Sequence, residues 1–344
     1  MLWTDVTFAT LFTAGLLAAA PQPAPLDSTP RWSPDGTAIA FLRLRNVQRR
    51  DLTSEIYVMR RDGKQLRRLT RGARDFFLSW SPDGKSLAFA RSPRQTRNGP
   101  YLYLIRRDGT HLRRLVPRAS WSSTPAWSPD GRELAFAGKV DGLGEGIFVA
   151  DRDGQGVRLV FQVPETVTTA TVVALNDLTD LSWSPDGSKL LFELQDWLYV
   201  LRLDDGVATR LEARGYTAKW SPDSRSIAFV QICRLAVIAD DGADTPVDPF
   251  QCAQPGSLMS PPSWSPDGAR IASADCPLGG CRVLIADARR GALRAAKAIT
   301  FGFSPAWSPD GRLIAFVRPT TRSGAIVYVM RPDGTHARPL SARR

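Results

Sequence analysis

Four sets of residues in this chain are of types that could do chemistry. Seven aspartates, Asp35, Asp83, Asp130, Asp186, Asp223, Asp267 and Asp310, recur in one short sequence context. An all-oxygen set of this kind suits calcium, which takes six to eight oxygens within about 2.6 Å. Three further carboxylates, Glu145, Glu193 and Asp196, would suit a glycosidase-type acid pair if the fold aimed them at a common cavity. His111 and His336 are the only histidines, and both follow the same Asp-Gly-Thr. Four cysteines, Cys233, Cys252, Cys276 and Cys281, cluster late in the chain without a Cys-x-x-Cys pair, so no zinc site is expected. A Gly-x-Ser-x-Gly nucleophile elbow is absent, as is a phosphate-cradling glycine loop ahead of a helix.

The elements that must position these groups are set by a repeat. Trp-Ser-Pro-Asp-Gly occurs at Trp32–Gly36, Trp80–Gly84, Trp127–Gly131, Trp183–Gly187, Trp264–Gly268 and Trp307–Gly311, with a seventh copy, Trp220–Ser224, ending in Ser. Successive Trp residues are separated by 48, 47, 56, 37, 44 and 43 residues, a period that suits a four-stranded propeller blade. Within each copy, Pro presets φ, Asp bonds nearby backbone and Gly accepts positive φ, which is the chemistry of a tight turn. Equivalent turns on separate repeats do not converge on one ion. The seven aspartates are therefore read as turn formers, and His111 and His336 as surface residues of a fourth strand.

The second repeat shows the order of strands. Phe76–Ser81, Ser86–Arg91, Tyr101–Arg106 and Leu112–Val116 alternate as strands, with a turn at Arg107-Asp108-Gly109-Thr110. Second strands elsewhere read Ile39-Ala40-Phe41, Leu134-Ala135-Phe136 and Ile314-Ala315-Phe316; the sixth repeat has Ser273 in place of Phe. The fold class predicted is all-β: a seven-bladed β-propeller of four-stranded antiparallel blades over residues 31–344. One blade cannot bury both of its apolar faces alone, so each Trp and Phe packs on the next blade.

The unit P-x-W-S-P-D-G-x-x-[IL]-A-F followed by [IL]-Y-V-M-x-x-D-G resembles the WD-like repeat of TolB-type β-propellers, over about residues 26–344. The resemblance implies the fold and leaves function open. In that family the unit builds the periplasmic propeller of the Tol–Pal envelope system, many secreted propellers, and the propeller domains of prolyl-oligopeptidase-type enzymes. The family's TolB resembles a six-bladed propeller behind a small α/β domain. Seven units here, with no room for that domain before Trp32, look like a stand-alone TolB-like propeller.

Up-and-down strands put the turns after strands one and three on one rim, and the more variable loops on the other. Binding usually resides in such loops. The predicted ligand-binding sector on that loop rim is Arg43, Arg45, Arg49, Arg50, Arg91, Arg94, Arg97, Arg318 and Arg322, bordered by Trp121 as a loop residue. A polyanion or an acidic protein surface is the expected ligand; a solvated, Arg-rich surface with no ligand is the competing reading. The formal net charge of +11 suits either. The cysteines fall on the same rim, and the favoured pairings are Cys276–Cys281 and Cys233–Cys252. The insertion 161–180 sits between repeats three and four, as an extra strand or a flap.

At the N-terminus, residues 6–20 form a 15-residue apolar run ending in Ala18-Ala19-Ala20. It is short for a membrane span and suits a secretory signal, or else an N-terminal anchor, over residues 1–20. Residues 21–30 read as a Pro-rich linker. The expectation is an exported, periplasmic or extracellular, non-catalytic binding or scaffold module. It is expected to be a monomer, with no metal or cofactor, whose partner is a protein or an anionic polysaccharide of the envelope. Nucleic acid is not expected; peripheral membrane contact is compatible with the charge. The alternative is a propeller enzyme acting on a sugar or peptide in the central channel.

Overall fold

A computed structural model describes residues 26–45, 52–93, 99–164, 178–231, 234–242, 247–251, 258–277, 280–288, 293–320 and 324–341. No helix occurs among them. The signal-like run, most of the insertion, Cys233 and Cys252 lie outside the described residues.

Strands pair in consecutive antiparallel groups, each holding one Trp-Ser-Pro-Asp motif. The first group is β1 (Leu26–Trp32), β2 (Ala38–Arg45), β3 (Thr53–Arg60) and β4 (Arg67–Arg68). The second is β5 (Arg74–Trp80), β6 (Ser86–Ser92), β7 (Tyr101–Arg106) and β8 (Arg113–Arg114). The third is β9 (Ala119–Trp127), β10 (Glu133–Val140), β11 (Gly144–Asp151) and β12 (Arg158–Gln162). The fourth is β13 (Leu178–Trp183), β14 (Lys189–Leu194), β15 (Trp197–Arg202) and β16 (Ala208–Arg214). The fifth is β17 (Tyr216–Trp220), β18 (Ser226–Gln231), β19 (Arg234–Ala239) and β20 (Val247–Gln251). In the sixth the first strand is split into β21 (Leu258–Met259) and β22 (Ser263–Trp264), followed by β23 (Arg270–Cys276), β24 (Arg282–Asp287) and β25 (Arg294–Phe301). The last is β26 (Phe303–Trp307), β27 (Ile314–Pro319), β28 (Ala325–Met330) and β29 (Arg338–Pro339).

Second strands are covered on both faces, which is why they read as continuous apolar runs and not as alternation. Their Phe stacks on an aromatic of the third strand: Phe41 on Tyr57 at 5.7 Å, Phe136 on Phe148 at 5.5 Å and Phe192 on Tyr199 at 5.2 Å between centroids. The fifth group, where Phe229 faces Ala236, lacks this pair, and so does the sixth. Its buried Ser273 instead donates to the Ser260 carbonyl at 2.7 Å, so the hydroxyl is satisfied. The first strands carry a bulge three residues before the motif Trp, with left-handed φ at Thr29, Phe77, Thr124, Thr217 and Ser304.

Neighbouring groups are joined through the motif Trp. Trp80, Trp183, Trp220 and Trp264 donate their indole N–H to Arg31, Ala126, Ser182 and Lys219, each the residue before the preceding group's Trp. Trp32 does the same to Ala306 at 3.0 Å, reaching from the first group to the last. Around it Trp32, Phe41 and Met59 pack with Ala315, Val327, Val329 and Leu340. The parallel bridge Leu26–Ala325 between these groups repeats the Ser54–Arg74 bridge between the first two.

The fourth strands are shorter than the sequence pattern predicts in the second group. Only Arg113 and Arg114 pair as a strand, because Leu115 and Val116 turn inward to be buried against the third group.

Candidate functional site

The turn rim is closed on itself. In the first motif Ser33 donates to Asp35 and accepts the Ala38 N–H at 2.9 Å, while Asp35 accepts the Thr37 N–H at 3.0 Å. The same set recurs at Ser81–Asp83, Ser184–Asp186 and Ser308–Asp310. Burial works against the charge on Asp35, but the hydrogen bonds from Ser33 and Thr37 and the charge of Arg107 outweigh it, holding the carboxyl at about 2. Ser224 stands at φ 63 where the other copies have Gly, and its hydroxyl accepts the Asp186 N–H of the preceding group at 3.0 Å. Arginines of the third-to-fourth-strand turns then reach back one group: Arg107 to Asp35 at 3.3 Å, Arg152 to Asp83 at 3.5 Å and Arg61 to Asp310 at 3.3 Å. His111 and His336 are exposed turn residues, both at φ 57, each ring nitrogen beside its preceding threonine hydroxyl.

On the loop rim, the described members of the predicted arginine sector are already engaged. Arg43 is buried, and its guanidinium forms a bidentate pair with buried Asp27, at 2.5 and 2.9 Å, and bonds the Ser341 carbonyl at 3.3 Å. Arg91 pairs with buried Asp75 in the same way, at 2.6 and 3.0 Å. Burial pushes the carboxyls of Asp27 and Asp75 up, against the lowering effect of Arg43 and Arg91. Arg45 bonds the Tyr57 hydroxyl at 2.8 Å and lies 3.1 Å from Glu55. Arg318 bonds the Phe301 carbonyl at 3.2 Å and the Thr300 hydroxyl, with Tyr328 beneath it at 5.0 Å. Trp121 is a strand residue of β9, buried among Val163, Leu181 and Phe192. Of the predicted ligand contacts, the structure thus places Arg43 and Trp121 in the interior and Arg91 partly buried, each arginine held against a buried carboxylate, and Trp121 is a strand residue and not the loop residue expected. Arg49, Arg50, Arg94, Arg97 and Arg322 lie outside the described residues.

Cys276 and Cys281 form a disulfide across the loop between β23 and β24, as the spacing suggested. Cys281 is buried with Phe303, Val317 and Ala325 of the next group, so the bridged loop is packed down on its neighbour. Of the carboxylates considered for acid–base work, Glu145 lies on β11 of the third group, whereas Glu193, buried on β14, and Asp196, in the turn after it with φ 65, both belong to the fourth. Burial raises the Glu145 carboxyl against the nearby Lys139. Burial, and then the charge of Glu193, raises the Tyr216 phenol. Among the described residues, no group of three or more His, Cys, Asp and Glu is placed to hold a metal ion.

A basic and aromatic site went unnoticed in the sequence. Trp197, one of the few Trp outside the motif, opens β15 with Arg210 and Arg214 over its ring at 4.4 and 4.6 Å. The signal was there: the third strand of the second repeat also opens on an aromatic, Tyr101, and the fourth strand ATRLEAR places Arg210 and Arg214 on its exposed face.

Residues 22–162 match the TolB beta propeller domain family. No curated protein sequence matches the chain. Among solved structures, the chain is similar to a puromycin-hydrolyzing peptidase of Mycobacterium tuberculosis, with TM-score 0.66 and 14% identity over 95% of this chain and 55% of that one. It is similar to the β-propeller domain of the Trilobed protease of Pyrococcus furiosus, described as having an open velcro topology, with TM-score 0.60 and 14% identity over 93% and 98% of the two chains. TolB of Acinetobacter baumannii gives TM-score 0.49 and 19% identity over 87% of this chain and 62% of that one. The chain thus spans less than two thirds of that TolB and little more than half of the peptidase.

Proposed function

Because the chain is a TolB-like β-propeller, we propose that it is a seven-bladed ring that acts as a non-catalytic binding module. Its ligand is an anionic polymer or an acidic protein surface, met outside the cytoplasm at the cell envelope. In this reading each blade is built from consecutive strands, and the first and last meet through the packing around Trp32.

The observation that carries this reading is the difference between the two rims. On the turn rim the repeat's carboxylates and hydroxyls bond one another, and Arg61, Arg107 and Arg152 are paired to it. The Cys276–Cys281 bridge lies at the other end of the strands, and strand order in the sequence assigns the 161–180 insertion and the loops with Arg49, Arg50, Arg94 and Arg97 to that same end, outside the described residues. A rigid scaffold that concentrates variation and positive charge at one end is organised for contact with a partner.

The test is charge reversal of Arg49, Arg50, Arg94 and Arg97 together. The variant is expected to elute from heparin at lower salt than the wild type and to lose retention on anionic vesicles. Unchanged elution on both supports would remove the loop rim as the contact surface.

A further inference from the structure

A second cationic surface lies at the loop-rim end of the outer strands. In the fourth group Trp197 and Arg214 are cross-strand partners, the first residue of β15 and the last of β16. The Arg214 and Arg210 guanidiniums lie 4.6 and 4.4 Å from the centre of the Trp197 ring. Both arginines are exposed. Their nearby counter-charge is Glu212, 3.5 Å from Arg210 and itself 75% exposed. Among the described residues no carboxylate pairs with Arg214. An aromatic face attracts a guanidinium by its quadrupole, so one ring holds two like charges together on a surface where they would otherwise repel.

The arrangement recurs at the same end of two other groups. In the second, Arg114 lies 3.8 Å over Tyr101, the first residue of β7. In the sixth, Arg282, the first residue of β24, lies 5.5 Å from the ring of Phe301, which closes β25 and is 56% exposed.

We propose that these aromatic–guanidinium stacks, with Trp197, Arg210 and Arg214 as the principal one, bind an acidic polysaccharide laid along the outer edge of the loop rim. The inference rests on the binding-module reading above but assigns a different surface. A guanidinium drawn to a ring loses less freedom on binding a carboxylate or sulfate than a mobile one, and Arg210 and Arg214 stay exposed to donate to it. Single-stranded nucleic acid would need bare ring faces for its bases, and the stacks put guanidiniums over them.

Binding of a heparin fragment and of a single-stranded DNA oligonucleotide of equal charge to the full chain, at several salt concentrations, tests this. R210A/R214A is expected to bind the heparin fragment about tenfold more weakly and to lower the slope of log K against log salt by about 1 to 2, as for two lost ionic contacts. R210K/R214K, which keeps the charge and loses the guanidinium's planar set of donors over the ring, is expected to retain the slope and lose affinity several-fold. Equal thermal melting of the three proteins removes misfolding as the cause. Wild-type affinity in R210A/R214A would overturn the proposal, even where reversal of the Arg49, Arg50, Arg94 and Arg97 charges still weakens binding and the module reading stands. Failure of the wild type to bind the heparin fragment would remove both. DNA bound more tightly than heparin through Arg210 and Arg214 would overturn the polysaccharide assignment.

Discussion

Trp80 and Trp127 hold the same place in the repeat and are equally buried, yet they differ at one atom. The Trp80 indole N–H donates to the Arg31 carbonyl at 3.1 Å, whereas the Trp127 N–H is buried with no partner. Trp→Phe removes similar apolar volume at both, but at Trp80 it also strands a carbonyl, which costs about 1 kcal/mol. Trp80→Phe is therefore expected to lose about 1 kcal/mol more than Trp127→Phe in urea denaturation; equal losses would mean that the bond contributes nothing. Trp127→Ala should still cost about 3–5 kcal/mol, since a buried aromatic is removed. Asp35 makes a pH-dependent case. Its carboxyl is depressed from 3.8 to about 2, so its contribution is complete above 3.8 and is lost as pH falls towards about 2. The shift corresponds to about 2.5 kcal/mol, which screening of a side chain 46% exposed reduces to about 1 kcal/mol. Asp35→Asn should thus be about 1 kcal/mol less stable than the wild type at pH 7 and indistinguishable from it near pH 2. A gap that persists in acid would assign the loss to geometry instead of charge. Asp27 and Asp75 have the opposite sign. Burial pushes their carboxyls up, while Arg43 and Arg91 draw them down.

At the scale of strands, the buried pairs decide what the arginines do. Arg91→Ala leaves the Asp75 carboxylate enclosed without its guanidinium, and is expected to cost about 3–5 kcal/mol. Replacing both partners, Asp75→Leu with Arg91→Met, should cost less than Arg91→Ala alone, because no charge is left behind; denaturant midpoints of the variants check this. Strand order, turn chemistry and the Cys276–Cys281 bridge were legible because each depends on local residue types. The role of Arg43 and Arg91 was not, because composition makes them look like Arg49. One clue was present. Asp27 and Arg43 are 16 residues apart, as are Asp75 and Arg91, and that offset places both pairs across the same two strands. Trp121 failed for a related reason: β9 begins earlier than the motif suggests, so a residue read as loop belongs to a buried strand. The stack on Trp197 needs the offset between the third and fourth strands, which a bulge alters and residue spacing does not record.

For the whole molecule, closure is what matters next, since among the described residues the first and last groups meet without exchanging a strand. The contacts across the first and last groups copy those between the first two. Thr70 accepts the Ile56 N–H at 2.8 Å and donates to Asp75; Ser341 accepts the Val327 N–H at 2.9 Å and donates to Asp27. Each is a hydroxyl just past a fourth strand, bonded to the buried carboxylate that begins the next first strand. Ser341 and Asp27 are 314 residues apart, so in a chain that opens at the seam they would not sense each other. A double-mutant cycle with Ser341→Ala and Asp27→Asn is expected to give a coupling of about 1 kcal/mol or more, comparable to the Thr70→Ala and Asp75→Asn cycle. The second cycle serves as the internal standard, because its partners are held together by local sequence whether or not the ring closes. Coupling between Thr70 and Asp75 without coupling between Ser341 and Asp27 would describe an open arc, whose exposed terminal faces would have to be covered by something else. Equal couplings would make the seam one more blade interface, and the closed ring the unit that presents the loop rim.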